Sequence, residues 1–212
     1  MLAVIAAIDQ GLINAKIVLV VTDRASAGIL DNARKHKIRA LHIPSQRKTR
    51  EQHDSEVNAS LEEHGVELVL MVGYMRIVSS VFTRRWHRRC FNVHPSLLPE
   101  FPGGMDLEVH AAVISAGKAV SGCTIHFVTE VVDSGPIVLQ KECLVDYPTE
   151  TPDTLKAKVQ QLEGAAFIEA IRMFIRGDLP PDDLVQAAPT PLTYRDAGSC
   201  SSYSYNCFLS PA

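Results

Sequence analysis

A chain of 212 residues, 46% hydrophobic and 21% charged, is long enough for one substantial core and has the composition of an ordinary folded domain. Its formal net charge of −3, with both signs interspersed, leaves no electrostatic footprint for nucleic acid or an anionic membrane. No run reaches the ~18 uninterrupted apolar residues that span a bilayer, and Leu2 to Ile8 lacks the basic flank and cleavage site of an export signal, so the expectation is a soluble, cytoplasmic protein, with an organelle open if a targeting segment precedes Met1.

Ile17 to Val21 reads as a strand and Ala25 to about His36 as the helix after it. Ala40 to Ile43 is a second short strand, followed by a charged helix from Arg50 to Glu63. Glu67 to Val72 is apolar on both faces. Continuous apolar strands separated by helices predict an α/β fold: a doubly wound, mostly parallel sheet with helices on both faces. A short helix near Ser79 to Trp86 carries a basic cluster, Arg84, Arg85, His87, Arg88 and Arg89, which reads as a solvated helix face. The next strand, Cys90 to Val93, stops abruptly in Asn92-Val93-His94-Pro95, and polar side chains at a strand's carboxyl end lie where open α/β sheets place their ligand sites.

Downstream come a helix near Leu107 to Ala116 and strands at Thr124 to Val128 and Ile137 to Val145. The break between those strands, Val132-Asp133-Ser134-Gly135-Pro136, is rich in turn formers. A long helix opens at Thr151-Pro152, with Thr as cap and Pro at the first helical position, and Leu155, Val159, Leu162 and Ala166 recur at helical spacing. From about Asp178 periodicity fades, and residues 178–212 are expected to be an irregular or disordered tail beyond a domain spanning 1–177. The five cysteines, Cys90, Cys123, Cys143, Cys200 and Cys207, show no zinc-like or disulfide-framework spacing and read as reduced thiols.

The stretch Phe91-Asn92-Val93-His94-Pro95-Ser96-Leu97-Leu98-Pro99 closely resembles the signature of folate-dependent formyl transferases. Further matches follow in order: Gly73-Tyr74-Met75-Arg76-Ile77 upstream, then His126-Phe127-Val128-Thr129-Glu130 and Asp133-Ser134-Gly135-Pro136 downstream. The resemblance covers about Met1 to Gly177. It implies the formyltransferase fold and transfer of a formyl group from 10-formyltetrahydrofolate, as co-substrate, to the amine of glycinamide ribonucleotide in purine synthesis, without a metal. Small molecules are thus the expected partners, with no nucleic acid and no membrane; the oligomeric state is left open.

Such a reaction passes through a tetrahedral intermediate with negative charge on oxygen, and that oxygen needs donors. Asn92 can offer its amide N–H, and His94, two residues on along an extended chain, projects from the same face and can supply a proton to the departing nitrogen. The resemblance makes Asp133 the family's catalytic aspartate, a carboxylate beside His94 that helps shuttle protons through water. It also assigns folate contacts to Arg50, Met75, Arg76, Ile77, Val78, Asn92, Thr129, Glu130, Val131, Val132 and Asp133, and ribonucleotide contacts to Gln160, Gln161, Leu162 and Glu163. Taken without the motif, His94 reads as a structural histidine and Asp133 as a turn former. His36, His42, His53, His64 and His87 are expected at the surface, whereas His110 and His126 could line the site.

The family begins with a strand and a Gly-rich loop ending in Ser-Asn, whose N–H groups grip the substrate phosphate. Met1 to Ile8 matches the helix after that loop, so the first central strand is expected to be missing, with unpaired edges on its two neighbours. A start placed too late and a real fragment both fit. Three functional readings follow: the transferase, a noncatalytic folate-binding remnant, and a formyltetrahydrofolate hydrolase, against which Pro95 to Gly103 speaks. A tRNA-formylating enzyme is disfavoured because no added basic domain follows.

Overall fold

The computed structural model describes residues 1–104, 106–181 and 205–211. The chain divides into two compact units, one formed by residues 1–92 and 195–212 and the other by residues 93–194.

The first unit opens with helix α1 (Leu2–Asp9), then β1 (Ala15–Thr22), α2 (Gly28–Lys35), β2 (Ala40–His42), α3 (Arg50–Glu63), β3 (Leu68–Val72), α4 (Ser80–Arg85) and β4 (Cys90–His94), the last running on into the second unit. The apolar runs become strands because both faces are covered: Leu19 and Val20 of β1 and Val69 and Leu70 of β3 are fully buried. One small core joins Val20 to Ile29 and Ala33 of α2, with Ile17 and Ala40 packed against it. α3 begins in a capping box, Thr49 accepting from the Gln52 N–H while the Gln52 side chain accepts from the Thr49 N–H, which fixes its start at Arg50. β1 pairs with β2, and β3 with β4, in parallel.

Between β1 and β3 lies β7 (Tyr205–Pro211), antiparallel to both. Strand order in this unit is β2-β1-β7-β3-β4. Two expectations are corrected here. The tail is not irregular throughout, since Tyr205–Pro211 is a strand, and the edges of β1 and β3 are not unpaired. The physical reason is long-range: β1 and β3 both present ladder groups to the gap, and a buried unmade hydrogen bond costs about 1–3 kcal/mol. Leu209, 2% exposed, adds apolar burial that its short, turn-rich local sequence does not announce. Residues 182–204 and 212 lie outside the described ones, including the Ser- and Tyr-rich stretch up to residue 204.

The basic cluster at the end of α4 and just beyond it frames the chain's one tryptophan. Trp86 is buried, donates to Asn58 Oδ1 at 2.9 Å and carries the Arg85 and Arg89 guanidinium groups 5.1 and 5.0 Å from its ring centre, a cation–π arrangement. His53 departs from its expected surface position: it is 1% exposed, with Nε2 3.0 Å from the Ile43 carbonyl. Its neighbours Glu51, Gln52 and Asp54 suggest solvent, but α3 turns that face inward.

The second unit holds α5 (Leu107–Ser115), β5 (Val120–Phe127), β6 (Ile137–Leu144) and α6 (Pro152–Arg176). β5 and β6 pair antiparallel, and α6 packs on both strands and on α5. A capping box at Thr151 and Thr154, with Pro at the first turn and Gly177 in the left-handed conformation past the end, bounds α6; the Thr151 cap and the Pro are as the sequence anticipates. Cys90, Cys123 and Cys143 carry free thiols. No helix among the described residues is long and apolar enough to cross a membrane.

Candidate active site

β4 ends at His94, and strand alternation places Asn92 and His94 on one face. Asn92 is half-buried; His94 is 3% exposed. His94 Nδ1 lies 3.1 Å from Asp133 Oδ2, and Nε2 lies 2.8 Å from the Phe101 carbonyl oxygen. A carbonyl only accepts, so Nε2 donates there. For the second contact also to be a hydrogen bond to an ionised carboxylate, Nδ1 must carry the other proton.

Asp133 sits at the β5–β6 break with φ of 53°, a left-handed conformation that Asp tolerates better than most residues. Its Oδ2 also accepts from the Gly103 N–H at 2.8 Å, and His126 Nε2 approaches Oδ1 at 3.5 Å. Burial pushes the Asp133 pKa up, but the hydrogen bond and charge of His94, the His126 ring and the Gly103 N–H outweigh it and bring the value down to about 2. Burial pushes His126 below the ordinary histidine value, opposed by Asp133.

The loop from Pro95 to Gly103 is tied down at several points. Ser96 Oγ donates to the Glu100 carbonyl, the Leu98 N–H to Thr124 Oγ1, and Thr124 Oγ1 to the Ser96 carbonyl. Gln140 Nε2 donates to the Leu98 carbonyl at 2.9 Å. This bracing holds the Phe101 carbonyl and Gly103 N–H against His94 and Asp133. These two backbone groups, with Thr124 and Gln140, are site members that sequence reasoning missed; only the run of loop formers from Pro95 to Gly103 hinted at them.

Of the other expected residues, Thr129 Oγ1 and Ser134 Oγ both donate to the Val131 carbonyl at 2.9 Å, shaping the loop that ends in Asp133. Val131 and Val132 are 52% and 38% exposed, and Glu130 is exposed. On α6, Gln160 and Gln161 are exposed and Leu162 and Glu163 half-buried; burial lifts Glu163 to about 7. His110 on α5 is 1% exposed, and its Nδ1 has no hydrogen-bond partner. Burial and the nearby Lys156 push its pKa down. Of the two histidines left open, His126 thus reaches Asp133 directly.

In the first unit, Met75, Arg76 and Ile77 are half-buried and Val78 buried in the segment leaving β3, and Arg50 is exposed on the first turn of α3. Asp54 accepts from the Ser79 N–H at 2.5 Å, which fixes the end of that segment. Among the described residues, no group of His, Cys, Asp and Glu is arranged to hold a metal ion.

The structure thus combines an α/β fold with a buried histidine–carboxylate pair at a strand's carboxyl end, where open α/β sheets bind their ligands. The chain matches the model of the formyl transferase family over residues 1–171, and it belongs to that family. It is 34% identical to the phosphoribosylglycinamide formyltransferase of Escherichia coli, over 84% of this chain and 82% of that protein. It is 40% identical to the trifunctional purine biosynthetic protein adenosine-3 of Gallus gallus, over 77% of this chain, and spans only 16% of that protein's length. Among solved structures, glycinamide ribonucleotide transformylase 1 from Symbiobacterium toebii superimposes with a TM-score of 0.77 at 37% identity, covering 82% of this chain and 81% of that one.

Proposed function

We propose that this chain transfers a formyl group from 10-formyltetrahydrofolate to the amine of glycinamide ribonucleotide. The observation that carries the reading is the His94–Asp133 pair, buried and braced by the loop from Pro95 to Gly103. The amine nitrogen attacks the formyl carbon, and the carbonyl oxygen becomes an oxyanion. Asn92 donates its amide N–H to that oxygen, and His94 stabilises the charge from the same strand face. On collapse the bond from carbon to the folate nitrogen breaks, His94 supplies the proton that nitrogen needs from Nε2, releasing the Phe101 carbonyl, and the proton lost by the attacking amine returns to His94 through water beside Asp133. Asp133 is ionised throughout the neutral range because its pKa lies near 2.

In this reading Arg50, Met75, Arg76, Ile77 and Val78 are the folate contacts of the first unit, and the loop of Thr129, Glu130, Val131, Val132 and Asp133 carries those of the second. The two exposed valines of that loop suit a flat heterocycle. Gln160, Gln161, Leu162 and Glu163 take the ribonucleotide, Glu163 holding sugar hydroxyls. The cytoplasm is the proposed location. The deciding assay incubates the purified chain with 10-formyltetrahydrofolate with and without glycinamide ribonucleotide. Formylated ribonucleotide supports the transferase. Formate release independent of the ribonucleotide supports the hydrolase, and no turnover with retained folate binding supports the remnant.

A further inference from the structure

β7 is the one strand of the first unit that runs against its neighbours among the described residues, and it occupies the middle of the sheet. It enters at the end where β1 and β3 finish, Tyr205 opposite Val72 and Asn206 opposite both Val21 and Met71. Met71 is in turn opposite Asn92. A single cross-sheet row therefore runs Val21, Asn206, Met71, Asn92, and it is the row on which the reading above places the oxyanion donor. One row inward lie Val20, Cys207, Leu70 and Phe91.

The far end of β7 is anchored. Leu209 is 2% exposed, its carbonyl accepts from the Glu67 N–H at 3.0 Å, and Ser210 Oγ donates to Glu67 Oε1 at 3.1 Å. The ladder to β1 accommodates the reversed strand through a register shift between Ile17 and Leu19, the extra residue of a β-bulge. Anchoring at Leu209 thus fixes the register of the whole strand, and a one-residue slip would shift every pairing up to Met71.

We propose that β7 is a positioning element for the reaction: the C-terminal strand, locked by Leu209, sets the backbone of Met71 and through it the place of Asn92. The proposal rests on the catalytic reading of Asn92, and its test separates the two. In the intact chain without ligand, hydrogen exchange read by NMR should show the Cys207 to Leu209 amides protected to the same order as those of β3. Exchange at the unprotected rate would overturn the proposal whatever the chain catalyses. Leu209→Ala should speed exchange at Leu70, Met71 and Asn92 by about tenfold or more while the α6 amides stay unchanged, and Leu209→Ile should restore the native pattern. Equal acceleration in α6 would show a general loss of stability, and unchanged Met71 and Asn92 a strand that positions nothing; either outcome overturns the proposal. Where the intact chain turns over, Leu209→Ala should lower kcat by about tenfold with little change in KM, as a misplaced transition-state donor does. An unaltered kcat would remove the positioning role and leave the proposed reaction standing.

Discussion

Asp133 uses its two carboxylate oxygens on three partners: Oδ2 takes the Gly103 N–H and the His94 ring, and Oδ1 faces His126. Its pKa, 3.8 ordinarily and about 2 here, gives a stability contribution present above pH ~4 and lost as pH falls toward 2, worth about 2 kcal/mol. Asp133→Asn should therefore flatten the acid limb of a melting-temperature profile between about pH 4 and pH 2. A limb as steep as that of the unaltered chain would show that the carboxylate is not the group being protonated. His94→Ala should cost about a hundredfold or more in formyl transfer while folate affinity stays nearly constant. Near-normal turnover in a steady-state assay would remove His94 from the reaction. The motif made His94 and Asp133 legible before the structure, because side-chain chemistry is written in residue identity. The Phe101 carbonyl and Gly103 N–H were not legible, since backbone groups look alike at every position and only the bracing by Thr124 and Gln140 aims them.

At the scale of elements, the break between β5 and β6 shows how a turn signal becomes a constraint. A Cβ built on Gly135 would stand 1.8 Å from the Phe127 carbonyl oxygen and 2.8 Å from its carbon. That backbone cannot yield easily, because the Phe127 N–H donates to the Pro136 carbonyl at 3.0 Å. Gly135→Ala should lose about 3 kcal/mol or more and displace Asp133, two residues away. Urea unfolding measures the first effect, and wild-type stability would show that the loop has room to shift. α6 depends on a gentler device. Thr151→Ala removes the cap that accepts from the Thr154 N–H at 3.2 Å and should cost about 1 kcal/mol, read in the same titration.

For the molecule as a whole, pH acts through groups of opposite slope. Glu163, lifted to about 7 by burial, favours the folded state while protonated, so its contribution is full below pH ~4.5 and is lost as pH rises through 7. Glu163→Gln should raise the melting temperature above pH 7, by an amount equivalent to about 2–3 kcal/mol, and leave it unchanged below pH ~4.5. A uniform shift at all pH values would place the effect elsewhere. The sequence by itself determined the α/β class, the extent of α3 from its charged pattern, the start of α6 from its Thr151-Pro152 cap, β1 to β6 from their apolar runs and the pairing partners His94 and Asp133 from the motif. These follow from periodicity, local hydrogen bonding and residue type, which act over a few positions. Tertiary structure alone decided that His53 is buried, that the Pro95 to Gly103 loop turns its backbone onto His94 and Asp133, and that Tyr205–Pro211 is a strand between β1 and β3. Each depends on partners distant in sequence, and a strand is stabilised by the ladders that receive it, a property no local stretch contains.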